Sequence, residues 1–195
     1  MHPFLARKLR RDLATQYPYQ AARTLVDYDE FVLLSRFPIT ETEYFSEGID
    51  PETGQFVPNY MRAILEIDGQ AVIVYVFHPP NPNFNRIINF DDSALETEVE
   101  AMVRLIERQT VPVLVICDCN STPRSRQYRL MDEVLDNAFG MAGSGFGLTY
   151  PAARPIIRID HIWFSDAFTA LDAEVVETSG TSDHRPLHVT LDFHP

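Results

Sequence analysis

Short apolar runs, each broken off by a polar or proline-rich segment, constrain this chain most, because they have the length of strands rather than of most helices. Met61, Ala63, Leu65 and Ile67 alternate with Arg62 and Glu66, the pattern of a half-buried strand. Asp68-Gly69 then reads as a two-residue hairpin turn into a buried strand over residues 71–77. Residues 31–34, 113–117 and 156–164 read as further strands, and Leu187, Val189, Leu191 and Phe193 alternate as a last one. Residues 41–58 are polar, with Pro and Gly inside, and read as a surface excursion.

Helical periodicity is confined to three places. Leu5, Leu9 and Leu13 recur four apart in residues 4–16, and Tyr17-Pro18 ends that helix. Ser93 with Glu96 makes a capping box for a helix with Leu95, Val99, Met102, Val103 and Ile106 on one face. Ser125 caps a third helix running to Leu135, and a glycine-rich loop follows over residues 140–147. Strands outnumber helices and the two are mixed without a repeat or linker, which predicts an α/β or α+β sandwich in one domain over residues 1–195.

The chain is 45% hydrophobic and 23% charged, which fits a packed globular protein and not a disordered one. No apolar run approaches the roughly 20 residues of a membrane-spanning helix, and the first eleven residues lack the apolar core of a secretory signal. The chain reads as soluble, in no particular compartment. Lys and Arg number 16 against 28 Asp and Glu, so the net charge is 16 − 28 = −12. Such a chain repels a phosphate backbone at long range, so duplex DNA is disfavoured as a substrate, although a bound divalent cation can offset charge locally.

Two familiar chemistries are poorly supported. Cys117 and Cys119 flank Asp118; they are too few for a four-ligand zinc site and form no Cys-x-x-Cys. As alternate residues of one strand they are poorly placed for a disulfide, so they read as two small buried apolar groups. A serine triad is disfavoured because no Gly-x-Ser-x-Gly elbow occurs and Ser144 lies in the glycine loop.

The polar residues at the strand ends are more informative. His78, Asp118 with Asn120, Asp160 with His161, and Asp183 with His184 each sit at or near the end of an apolar run. Carboxylates hold a hard cation, which stabilises charge on a phosphate and acidifies water; imidazoles exchange protons near neutrality. Each piece also has a plain structural reading. Asp118-Cys119-Asn120 is a possible strand-to-loop turn, Asp160 a structural ion pair, Ser182 to Pro186 a cap or turn, and His78 a loop residue. His2, His188 and His194 read as terminal or solvent-facing.

Together and in this order, Asp118-Cys119-Asn120-Ser121-Thr122-Pro123, Arg158-Ile159-Asp160-His161-Ile162 and Ser182-Asp183-His184-Arg185-Pro186 resemble the motifs of the endonuclease/exonuclease/phosphatase superfamily. The similarity begins near Tyr17-Pro18-Tyr19 and Leu34-Ser35-Arg36-Phe37-Pro38-Ile39 and runs to the C-terminus. It implies a four-layered α/β sandwich, two mixed sheets face to face with helices outside, and a cleft where the motif loops meet. It implies that His184 is the base for the attacking water or a donor to phosphate, that Asp160 orients it, and that Asp118 positions or deprotonates the water. Asn120 would hydrogen-bond the phosphoryl oxygen, His78 would contact phosphate, and Asp183 would serve the metal with Asp118. The implied cofactor is Mg2+ or Mn2+.

Two departures from the family pattern stand out. Cys117 replaces a usual glycine, and nothing before residue 4 corresponds to the strands that end in an Asn and in a metal-binding Glu. The fold is therefore expected to lack its N-terminal part, either as a piece of a longer protein or as a chain that has lost metal-dependent activity. The expected function is metal-dependent hydrolysis of a phosphodiester or phosphomonoester by activated water, on a small-molecule, lipid-linked or nucleic-acid phosphoester, with a small or lipid-linked one preferred to duplex DNA. The alternative is an impaired or inactive remnant that acts as a phosphate-binding or interaction module. No specific protein partner is indicated.

Overall fold

The computed structural model describes residues 3–24, 29–85, 89–177, 180 and 182–194, so His2 lies outside the described residues. In chain order the elements are α1 (Pro3–Asp12), β1 (Tyr19–Thr24), β2 (Asp29–Ser35), β3 (Ile39–Phe45), β4 (Gly48–Ile49), β5 (Phe56–Val57), β6 (Tyr60–Ile67) and β7 (Gln70–Phe77). They continue with β8 (Asn83–Asn85), β9 (Asn89–Asp91), α2 (Ser93–Glu107), β10 (Val113–Asp118), α3 (Arg126–Asp132), β11 (Asp136–Asn137) and α4 (Ala138–Ala142). The last three are β12 (Asp160–Phe164), β13 (Phe168–Val175) and β14 (Leu187–Phe193). No described helix is long and apolar enough to cross a membrane.

Six strands form one sheet in the order β11-β12-β10-β7-β6-β3. β10 runs parallel to β7 and the other pairings are antiparallel, so the sheet is mixed, as the resemblance implies. The β6–β7 hairpin turns on Asp68 and Gly69 at φ 51° and 79°, the left-handed pair that a two-residue turn between twisted strands requires. The parallel β7–β10 pair needs a crossover, and α2 supplies it. Leu95, Val99, Met102 and Ile106 pack on Ile73, Tyr75, Phe77, Val113 and Val115 to form the larger core. On the opposite face Ala63, Leu65, Val72, Val74 and Phe164 are met by Val189, Leu191 and Phe193 of the β13–β14 hairpin. Ala21 and Phe31 of the β1–β2 hairpin cover Met61. This second layer consists of two separate antiparallel hairpins among the described residues, where the resemblance implies a second mixed sheet. Ile116, on a central strand, is 37% exposed.

Several local expectations are corrected. Part of the polar stretch 41–58 is strand β3 at the sheet edge; its Glu41 and Glu43 flank Arg62 at 3.6 and 3.2 Å. Charge on an edge strand blocks further pairing and also disguises it as loop. β13 escapes the alternation test because its register shifts between Ala170 and Asp172. Part of the glycine-rich segment is helix α4, capped by Asn137 Oδ1, which accepts from Gly140 N at 3.0 Å. α2 has Asp92 at its N-cap and not Ser93, and Glu96 pairs with Arg126 instead of closing a capping box. Ser125 does cap α3, its Oγ accepting from Tyr128 N at 3.1 Å, but the helix stops at Asp132. The strand expected over residues 156–164 is regular only from Asp160.

Cys117 and Cys119 are buried in the larger core, as expected, but they are joined as a disulfide. Their Cα atoms lie 4.9 Å apart, whereas residues two apart in an extended strand are separated by about 6.6 Å. The chain is already leaving strand geometry there, with Asn120 at φ 48°, and the reading of both as residues of one extended strand fails for that reason.

Candidate active site

Strand register brings the polar groups together. Asp118 ends β10 and Asp160 begins β12, and the two are cross-strand partners. Phe77 ends β7 opposite Cys117, so His78 leaves the sheet beside Asp118. His184 lies in the segment entering β14. Like charges directly opposite in a sheet are unfavourable, and here an imidazole intervenes. His184 Nδ1 donates to Asp160 Oδ2 at 2.8 Å, while its Nε2 lies 3.6 Å from Asp118 Oδ2. His78 Nε2 approaches the same Asp118 oxygen at 3.6 Å. The Tyr150 ring packs on His184, with centroids 4.8 Å apart.

Asn120 holds two loops together. Its Nδ2 donates to Pro79 O at 2.9 Å and its backbone N to Asp118 Oδ1 at 3.4 Å. One Nδ2 hydrogen remains for another acceptor. Asp183 is exposed, and its backbone oxygen accepts from Ala152 N. A cleft of about 980 Å³ is lined by His78, Asp118, Asn120, Asp183 and His184, five of the six residues singled out in the sequence. The sixth, Asp160, supports His184 through its Nδ1.

Burial, and then the charge of Asp160, raise the Asp118 carboxyl above the ordinary range, with His78 and His184 opposing. Burial pulls the His184 imidazole down, but its bond to Asp160 and the charges of Asp160, Asp118 and Asp183 outweigh this and leave it raised.

His161 was part of a motif but received no role, and the structure supplies one. It alternates with Asp160 on β12, faces the core, and is 1% exposed. Asn137 Oδ1 is occupied by Gly140 N, so its Nδ2 is turned toward His161 Nδ1 at 3.4 Å. That leaves the proton on Nε2, which donates to Ser121 O at 2.9 Å and anchors the loop carrying Asn120. Burial pushes His161 down to about 4. Its surroundings, not its spacing, carry the signal, so sequence periodicity could show only that it points inward. Tyr150 and Arg124, both at the cleft, were also not singled out.

The ligand atoms of Asp118, Asp160 and His184 lie within 4.8 Å of one another. Two carboxylates and an imidazole suit a hard divalent cation. Asp183, expected as a metal residue with Asp118, lines the cleft but is not in that triplet. A second triplet, Asp172, Glu174 and His188, is exposed on the β13–β14 hairpin.

A family model described as the Endonuclease/Exonuclease/phosphatase family matches residues 6–184. The chain is similar to the solved endonuclease/exonuclease/phosphatase from Bacteroides vulgatus at 18% identity and TM-score 0.76, over 96% of this chain and 80% of that one. It is similar to the mannosyl-6-phosphatase of Bacteroides thetaiotaomicron at 16% identity and TM-score 0.67, over 98% and 90% of the two chains. The human nocturnin catalytic domain aligns at 16% identity and TM-score 0.58, over 83% and 63%. At such identities the likeness shows the fold. No curated protein matches the chain.

Proposed function

The chain belongs to the endonuclease/exonuclease/phosphatase family, and from that premise we propose that it hydrolyses phosphoric esters by attack of an activated water. The observation that carries this reading is the Asp160–His184–Asp118 arrangement, at 2.8 and 3.6 Å, at the wall of a substrate-sized cleft. Asp160 fixes the tautomer and orientation of His184, leaving Nε2 toward the cleft. Asp118, its Oδ2 3.6 Å from His184 Nε2, takes a proton from the water. His184, held through Nδ1 by Asp160, presents Nε2 to hydrogen-bond the phosphoryl oxygen as charge develops there. The free Nδ2 hydrogen of Asn120 and the His78 imidazole are further donors to that oxygen.

A divalent cation fits this donor set. Asp160 is committed to His184, so Asp118 with the cleft-lining Asp183 would hold Mg2+ or Mn2+. When bound, the ion supplies charge stabilisation at the phosphate. The mannosyl-6-phosphatase among the structural neighbours supports a small phosphoester as substrate.

The test is hydrolysis of a chromogenic phosphodiester and of its monoester with Mg2+, with Mn2+ and with chelator, beside His184→Ala. Metal-dependent turnover, lowered by at least about a hundredfold in the variant, is the expected result. Turnover equal in the variant and the wild type would remove the catalytic assignment.

A further inference from the structure

The cleft is larger than a phosphate requires. Its volume of about 980 Å³ is at the top of the range for whole small-molecule ligands. Its lining includes the candidate catalytic groups together with the apolar side chains of Leu95, Tyr150, Ile157 and Ile159. Two arginines, Arg124 and Arg126, also line it. They differ in what they can still do. Arg126 is bound to Glu96 and Glu100. The Arg124 guanidinium makes no hydrogen bond or ion pair among the described residues, while its backbone is fixed. Ser125 N donates to Thr122 O at 2.9 Å, closing a turn with Pro123 at its second position and Arg124 at its third. Arg129 Nη1 holds the Arg124 carbonyl at 3.0 Å. A rigid turn thus places an uncommitted, exposed cation among the lining of the cleft, in a chain whose net charge is −12. That overall field repels anions, so selection of an anionic group has to be local.

Resting on the hydrolase reading above, we propose that Arg124 is a specificity residue for a second anionic group, and that the substrate is a small phosphoester whose leaving group carries such an anion. The guanidinium makes a forked, charge-assisted contact with it, and the apolar lining side chains receive the carbon body between the two charges. Arg124 does not touch the reacting atoms, so its contribution falls on KM and not on kcat.

The probes are α,ω-alkanediol bisphosphates of three to six carbons and the alkyl monophosphates of matching length, followed by phosphate release. The wild type should favour the best bisphosphate by about tenfold in kcat/KM through a lower KM, the scale of one charge-assisted contact. Arg124→Ala should abolish that preference and leave kcat/KM on the monophosphate within about twofold. Arg124→Lys should restore it in part, since a point charge replaces the fork. Equal losses on both substrates in Arg124→Ala, or no preference in the wild type, would overturn the assignment. If neither substrate is turned over with any metal, the hydrolase reading fails, and calorimetric binding of the same bisphosphates still decides about Arg124. Weaker binding by Arg124→Ala supports the subsite, and unchanged binding removes it.

Discussion

Asp118 is ionised where its charge is least favoured, opposite Asp160 and largely withdrawn from water. A raised carboxyl means that the native state holds that proton more tightly than the unfolded chain. The stability it contributes is full below pH 3.8 and is lost as pH rises through the folded value. At neutral pH the carboxylate is therefore a net cost, and Asp118→Asn should raise Tm by about 2–4 °C while abolishing turnover. Calorimetry at pH 7 and pH 4 checks this; the gain should shrink at the lower pH, and a fall in Tm at pH 7 would contradict it. His161 runs the other way. Depressed to about 4, it stays neutral in the fold while the unfolded chain takes up a proton below pH 6.5. Its share of stability is complete above 6.5 and disappears as pH falls toward 4, to the extent of roughly 3 kcal/mol. His161→Gln keeps a donor for Ser121 O and cannot titrate. Denaturant unfolding should show the stability difference between pH 7 and pH 4.5 reduced in this variant.

At the level of elements, the segment from α4 to Tyr150 shows how a loop that reads as flexible is fixed. Gly147 has φ 58°, and a Cβ there would stand 2.4 Å from the Phe139 ring. That ring in turn lies 4.4 Å from the Arg158 guanidinium. Gly145 has φ 74° but open space around its Cβ position. The two glycines therefore separate backbone strain from packing. Gly145→Ala should cost about 1 kcal/mol from its φ alone, and Gly147→Ala about 3 kcal/mol or more, because a rigid ring has to move as well. Equal costs in a denaturant titration would show that Phe139 gives way freely. The same segment leads into Tyr150 against His184, so its packing reaches the candidate active site.

At the scale of the whole molecule, the mixed sheet is the frame of the site. β7 and β10 run parallel, so both deliver their C-terminal ends to one edge, and antiparallel β12 brings its first residue there. The edge thus collects His78, Asp118 and Asp160 from three separate stretches of chain. α2 closes one face of the sheet, and the two hairpins close parts of the other. The net charge of −12 surrounds this edge with a repulsive field for anions. On the reading proposed above, phosphoester selectivity comes from groups that line the cleft, Arg124 among them.

Local pattern was enough for whatever depends on near neighbours. The alternation of Met61 to Ile67, the Asp68-Gly69 turn, the apolar face of α2 and the Ser125 cap all rest on contacts within a few residues, and each was legible. The meeting of His78, Asp118, Asn120, Asp183 and His184 at one cleft, with Asp160 bonded to His184, involves residues that already stood out at the ends of apolar runs, and their chemical roles rest on the proposal above. Tertiary structure decided the rest. That β3 is a strand follows from Arg62 between its two glutamates, and β13 is a strand through pairing with β14 across a register shift. The fixed tautomer of His161 depends on Asn137, and the freedom of Arg124 on Glu96 and Glu100 choosing Arg126. These are contacts between residues far apart in the chain, and a hydrophobic period records only which way a side chain points, never what it meets.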